Sequence, residues 1–126
     1  MGKKEIGALG EQMAAQFLRG KGFTIVELNY RKPWGEVDII AEKAGCIRFV
    51  EVKAVSRESG EDGSRENSGY EPEELAHSSK LKKVARTAEL YMQNKKDDRE
   101  YQIDVVAVFL DYKNRKARCR FYEQVL

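Results

Sequence analysis

Two short apolar runs broken by acidic residues constrain this chain more than any other feature. One is Gly35-Glu36-Val37-Asp38-Ile39-Ile40-Ala41, and the other is Phe49-Val50-Glu51-Val52-Lys53. Both are rich in Val, Ile and Phe, the composition of β-strands. A strand buried among such residues carries Asp, Glu and Lys only where something offsets their desolvation. Three charges so placed point to a site rather than a solvated surface, and a metal ion is the compensating group that suits them best.

The chain has 126 residues, of which 41% are hydrophobic and 35% charged. That balance fits a single folded domain over 1–126 rather than a disordered chain. No apolar stretch approaches the length of a membrane span. The opening Met1-Gly2-Lys3-Lys4-Glu5 lacks the apolar segment of a signal peptide. A cytoplasmic protein with no membrane partner is therefore expected. Cys46 and Cys119 form no CxxC, and His77 is the single histidine. Two free thiols are expected rather than a zinc site. The net charge of +2 leaves nucleic acid open as a partner. Residues 80–86 and 113–120 are basic clusters, while 58–74 are mostly acidic. Such a patch suits phosphate groups, and an ordinary solvated face equally well.

The periodicities predict the order α-β-β-β-α-β-β in one mixed sheet. Ile6, Leu9, Gly10, Met13 and Phe17 make a helical stripe over Lys3 to Lys21, closed by Gly20-Lys21-Gly22. Thr24 to Tyr30 reads as a strand with Thr24, Val26, Leu28 and Tyr30 on one face. Arg31 to Gly35 is a turn. Strands over Glu36–Lys43 and Cys46–Lys53 are joined closely enough to be a hairpin. A long mobile polar loop is expected at about 55–71. Pro72-Glu73-Glu74 opens a second helix. Its buried stripe is Leu81, Val84, Ala85, Ala88 and Tyr91/Met92, and it closes near Asn94-Lys95-Lys96. Tyr101–Leu110, apolar nearly throughout, is a strand covered on both faces and reached by a parallel crossover. Ala117–Gln124 is an edge strand.

Strand alternation places Phe49, Glu51 and Lys53 on one face and Val50 and Val52 on the other, while Glu36, Asp38 and Ile40 share a face. A register that sets Asp38 beside Glu51 brings two carboxylates together with an ammonium close by. Such carboxylates repel unless a cation or a proton lies between them. Their oxygens suit Mg²⁺ or Mn²⁺. Lys53 could then orient or deprotonate an attacking water. Glu11, next to Gly10 on the first helix, could reach the strand charges if the small residues Gly7 and Gly10 let helix and sheet approach. It reads equally as a solvated helix residue.

These residues resemble the YraN-like proteins, an endonuclease-like group with the restriction-endonuclease-like PD-(D/E)xK fold. The resemblance is carried by Gly7-Ala8-Leu9-Gly10-Glu11 with Ala14 and Leu18, Gly22-Phe23 and Asn29-Tyr30-Arg31. It continues through the two acid-interrupted runs, Pro72-Glu73-Glu74, Lys80 and Asp104-Val105-Val106-Ala107. It implies an αβββαβ core and hydrolysis of phosphodiester bonds in DNA, branched or structured DNA included. It implies Asp38, Glu51 and Lys53 as the nuclease signature, Glu11 as an added helix carboxylate and the Val52 carbonyl as a metal ligand. The chain departs from the family pattern at Val55, where an Arg is usual, and at Leu81, where a Gln follows the helix lysine. Those departures raise the alternative of a nucleic-acid-binding module that keeps the fold with little or no catalysis.

Lys80, Lys83 and Arg86, with Arg31, are candidates for tracking a phosphate backbone. Glu36 is read as a partner of Arg31 or a supporting group near the metal. Asp104 is read as half of an ion pair with Lys80 or an arginine. Trp34 and Tyr30 could stack on bases, although turn packing suits them better. A symmetric homodimer would suit a two-strand cut. A third reading, buried ion pairs in a partner-binding protein, is also compatible with Glu51 and Lys53.

Overall fold

The computed structural model describes residues 2–57, 79–111 and 113–126. Helix α1 spans Lys3–Gly20. Strands β1 (Thr24–Lys32), β2 (Gly35–Lys43) and β3 (Cys46–Arg57) follow, then α2 (Ser79–Asn94), β4 (Tyr101–Asp111) and β5 (Lys116–Tyr122). The five strands lie in chain order in one mixed sheet. Only the β3–β4 pair is parallel, and its crossover includes α2. Among the described residues, two helices on a mixed sheet make an α/β fold. No helix among the described residues is long and apolar enough to cross a membrane. The expected second-helix opening at Pro72–Glu74, His77, and all but the first residues of the expected loop lie outside the described residues. Residues 55–57 belong to β3 instead of that loop.

The sheet has an apolar core on each face. Leu18, Ala14 and Ala15 of α1 pack on Ile39, Val50, Val106 and Val108. Leu81, Val84, Ala88 and Tyr91 of α2 pack on Val37, Ile40, Phe49 and Val105. Adjacent residues of β3 and β4 thus point to opposite faces, as their pleat requires, and β4 is buried along most of its length. Tyr91 meets Tyr30 and Phe49 edge-on, with ring centroids 5.3 and 5.5 Å apart. These contacts clamp α2 onto the first three strands. The β1–β2 turn also rests on α2. A Cβ at Gly35, where φ is +155°, would collide with the Thr87 hydroxyl.

The one-face alternation expected for Thr24–Tyr30 does not hold. A register shift between Ile25 and Glu27 inserts an extra residue. Asn29 adopts φ +53°, a conformation asparagine tolerates better than most residues. Ile25 packs on the α1 side and Tyr30 on the α2 side, while Thr24, Val26 and Leu28 stay exposed. The same break runs through β2. Ile39 lies under α1, whereas Val37, two residues earlier, lies under α2. The pairs Leu28–Ile39 and Tyr30–Val37 bracket this point, so Asn29 and Asp38 sit together where the β1–β2 ribbon twists.

Candidate active site

That twist is what builds the site. The β2–β3 ladder runs from Lys43–Cys46 to Ile39–Val50 and ends there. Continued one step, it would set Asp38 against Glu51. Instead β2 leaves β3, and the Asp38 carboxylate takes the place of a strand partner: its Oδ2 accepts the Val52 N–H at 2.8 Å. In an extended strand the N–H and C=O of one residue leave on the same side. The Val52 carbonyl therefore also faces the gap that β2 has opened.

Glu11 reaches this gap because α1 crosses β3 closely. A Cβ on Gly10 would stand 2.6 Å from the Ala54 Cβ, so only glycine permits this approach. Gly7 has no neighbour within 4 Å of such a position, so the close approach expected of both glycines belongs to Gly10 alone. Burial raises the Glu11 carboxyl above its usual range, and the adjacent Asp38 adds to the rise. A hydrogen bond from Asn29 and the nearby Arg31 work against it.

Glu51 is 4% exposed and lies on the α2 side of the sheet, as the alternation predicts. Desolvation pushes its carboxyl up to about 7; the Asp38 charge adds to the rise and Lys80 offsets part of it. Lys80 Nζ stands 2.8 Å from Glu51 Oε1. That oxygen is buried, with the Lys80 ammonium against it and the Asp38 carboxylate close to the same carboxyl group. The Lys80 pKa is raised in return, first by Glu51. Glu11, Asp38 and Glu51 therefore form an electrostatically linked row from one face of the sheet to the other, with Arg31 beside one end and Lys80 at the other. A cleft of about 450 Å³ opens over it, lined by Lys3, Gly7, Glu11, Asp38, Val52 and Lys80, among others.

Lys53 is exposed on the Glu51 face, in register with Ala107. The ammonium against Glu51 is that of Lys80, which the sequence reading had assigned to a phosphate backbone. Lys83 and Arg86 are exposed on α2. Arg31 Nε lies 3.7 Å from Glu36, the pairing expected for that glutamate, and both are exposed. Asp104 is wholly buried and ion-paired to Arg48 at 2.9 Å, at the other end of β3. It also accepts Gln102 Nε2 and the Gln124 N–H. Its ion-pair partner is thus Arg48. Tyr30 is buried in the core, whereas Trp34 is 44% exposed. Asn29 is the site residue to which sequence reasoning gave no role. Its signal was an asparagine in a strand otherwise built of better strand formers.

Among the described residues, no three His, Cys, Asp or Glu side chains converge as a ready metal cage. Three oxygen donors near the gap are the ones that could face a divalent cation. They are the buried Glu51 carboxylate, the Asp38 carboxylate on the next strand, and the Val52 carbonyl turned to the same gap. Hard oxygen donors of this kind suit Mg²⁺ or Mn²⁺.

The model of the family described as "Uncharacterised protein family UPF0102" matches residues 10–108, a stretch that takes in Glu11, Asp38 and Glu51. The chain belongs to the UPF0102 family. A UPF0102 protein of Dictyoglomus thermophilum is 38% identical over 112 residues, 87% of this chain and 86% of its own length. One from Campylobacter fetus is 37% identical over 110 residues, 86% and 88% of the two chains. One from Caldicellulosiruptor saccharolyticus is 38% identical over 115 residues, 90% of each. The UPF0102 match agrees with the YraN-like resemblance drawn from the sequence.

Proposed function

We propose that this protein is a metal-dependent endonuclease-type phosphodiesterase acting on DNA, with a restriction-endonuclease-like αβββαβ core. The observation that carries the reading is the Asp38 carboxylate set between Glu11 on one side and Glu51 on the other, where β2 leaves β3. Three carboxylates from three elements, two of them with raised pKa, favour any cation that can sit among them. Asp38, Glu51 and the Val52 carbonyl would hold Mg²⁺ or Mn²⁺, with Glu11 completing the acidic wall. Such an ion supplies an acidified water and offsets charge on a phosphate oxygen. Lys53, exposed on the Glu51 face, would position the water against the phosphate. Arg31, Lys83 and Arg86 would hold the backbone, and Lys80 would leave Glu51 as the ion enters. The element order and the single parallel β3–β4 pair support the fold assignment.

Titrating Mn²⁺ into wild type and Asp38→Asn by calorimetry tests the seat without a guess at substrate. Binding to wild type with a raised melting temperature, lost in Asp38→Asn, is expected. Mn²⁺-dependent cleavage of branched, single-stranded or duplex DNA, abolished in Lys53→Ala, tests turnover. No Mn²⁺ binding, or cleavage at background that Lys53→Ala leaves unchanged, overturns the reading.

A second reading, a DNA-binding module with weak or absent catalysis, is favoured by Val55 and Leu81. Leu81 is 2% exposed and part of the core under α2, so the polar group usual there has no counterpart at the site. DNA binding that survives Asp38→Asn and Glu51→Gln, without metal uptake, selects this reading.

A further inference from the structure

Outside the carboxylate row, β5 and the turn before it form a strongly basic surface. Lys113, Arg115, Lys116, Arg118 and Arg120 are all exposed. Of the acids near in sequence, Asp111 accepts the Asn114 N–H and Nδ2 in the turn, and Glu123 accepts Arg48.

The strand sorts these cations. Cys119 and Phe121 pack into the core under α1, so Lys116, Arg118 and Arg120 project on the opposite face, the face of Glu51 and Lys53. The registers make this continuous with the site. Lys53 pairs with Ala107, and Ala107 with Arg120; Val55 pairs with Phe109, and Phe109 with Arg118. Arg120 is thus two strand spacings, about 10 Å, from Lys53, and successive members of the row are about 7 Å apart along β5. Arginine offers a planar fork that grips phosphate oxygens in pairs, so such a row suits a charged, extended backbone better than a single small anion.

We propose that Lys116, Arg118 and Arg120 form a second phosphate-anchoring row, which holds the DNA backbone on the far side of the sheet from the β1–β2 turn and leads it across Lys53 to the carboxylates. This inference rests on the proposed action on DNA. Charges on an edge strand also discourage pairing with another chain. That role needs charge on the edge but does not need it gathered on the face that carries Lys53.

The two roles separate in a salt titration. Binding of a fluorescein-labelled duplex and of a single-stranded oligonucleotide is followed by anisotropy at several salt concentrations in the absence of divalent metal. The proteins compared are wild type, Lys116→Gln/Arg118→Gln/Arg120→Gln, Arg118→Gln alone, and Arg19→Gln at the opposite end of the fold as control. Each lost phosphate contact lowers the slope of log K against log salt by roughly 0.7–0.9. The triple variant should lower it by about 2–3 and Arg118→Gln by about 1, while Arg19→Gln keeps the wild-type slope. The single variant keeps the test open should the triple variant fold poorly. Wild-type binding with an unchanged slope in both β5 variants overturns the row and leaves the proposed function standing. No binding by wild type overturns both.

Discussion

The Asp38 carboxylate accepts the Val52 N–H at 2.8 Å across the point where their strands stop pairing. One side chain thus replaces a backbone ladder bond, holds the gap between β2 and β3 at a set width, and is left next to both Glu11 and Glu51. Its structural and chemical roles can be separated by choice of substitution.

Asp38→Asn keeps an acceptor for the Val52 N–H and removes the charge. The Asp38 charge is the second-largest cause of the rise at both Glu11 and Glu51. Both carboxyls should therefore titrate lower in Asp38→Asn than in wild type, as read by NMR of the side-chain carboxyl carbons. Asp38→Ala leaves the N–H unpaired as well, and should cost about 1–3 kcal/mol of stability. Unmoved titrations in Asp38→Asn would show that the three carboxylates are not coupled.

The Glu51 carboxyl gives stability a defined pH dependence. Its folded pKa, about 7, lies above the ordinary 4.5 of a glutamate. Between those values the folded protein keeps a proton that the unfolded chain has lost, so stability falls as pH rises through this window. Below it both states are protonated and the effect vanishes; above it the cost is complete, about 3 kcal/mol on this shift. Glu51→Gln removes the cost. Denaturant unfolding should show Glu51→Gln gaining on wild type at pH 8 and gaining little at pH 5. An equal difference at both pH values would contradict the raised pKa.

Much of this was legible from residue order. The helical stripe of α1, the alternation of Glu51 and Lys53 against Val50 and Val52, and the doubly covered β4 each follow from a period of 3.6 or 2. What escaped is where the period itself breaks. Asn29 at positive φ and the shift between Ile25 and Glu27 turn the β1 side chains over; the asparagine is a weak mark of the first, and no local pattern marks the second. The Asp38 carboxylate accepts the Val52 N–H because the ladder ends one pair early, and pairing arithmetic alone cannot show that ending. The Lys80–Glu51 contact joins α2 to β3, so it depends on how a helix lies on a sheet, and Lys53 looked the better partner by sequence distance.

Lys80 stands where a divalent ion would bring its charge. Lys80→Ala should raise the Glu51 carboxyl further, because the ammonium is what opposes its desolvation. At pH 8 without metal the loss should be about 1–2 kcal/mol, below that of a fully buried pair since the lysine side chain is 55% exposed. Mn²⁺ should bind this variant more tightly than wild type, because no ammonium has to be displaced. Calorimetry at pH 8 measures both the affinity and its sign. Weaker binding would mean that Lys80 belongs to the metal-bound arrangement rather than competing with it.

The approach of α1 to β3 separates two glycines three residues apart. At Gly10 an added methyl would lie 2.6 Å from the Ala54 Cβ, and Ala54 sits mid-strand with little freedom to yield. Gly10→Ala must lift the helix, at a typical overpacking cost of about 1–3 kcal/mol, partly offset by about 1 kcal/mol of helix propensity. Lifting also takes Glu11 away from Asp38, so its carboxyl should fall back toward the ordinary range. At Gly7 the same methyl meets nothing within 4 Å, and the helix gain stands alone. Gly7→Ala should stabilise by about 0.5–1 kcal/mol and leave the Glu11 titration in place. Thermal unfolding of the two variants, with the Glu11 titration of each, checks the pair. A Gly10→Ala protein as stable as Gly7→Ala, with Glu11 still raised, would show that helix and strand are not in the contact on which the site depends.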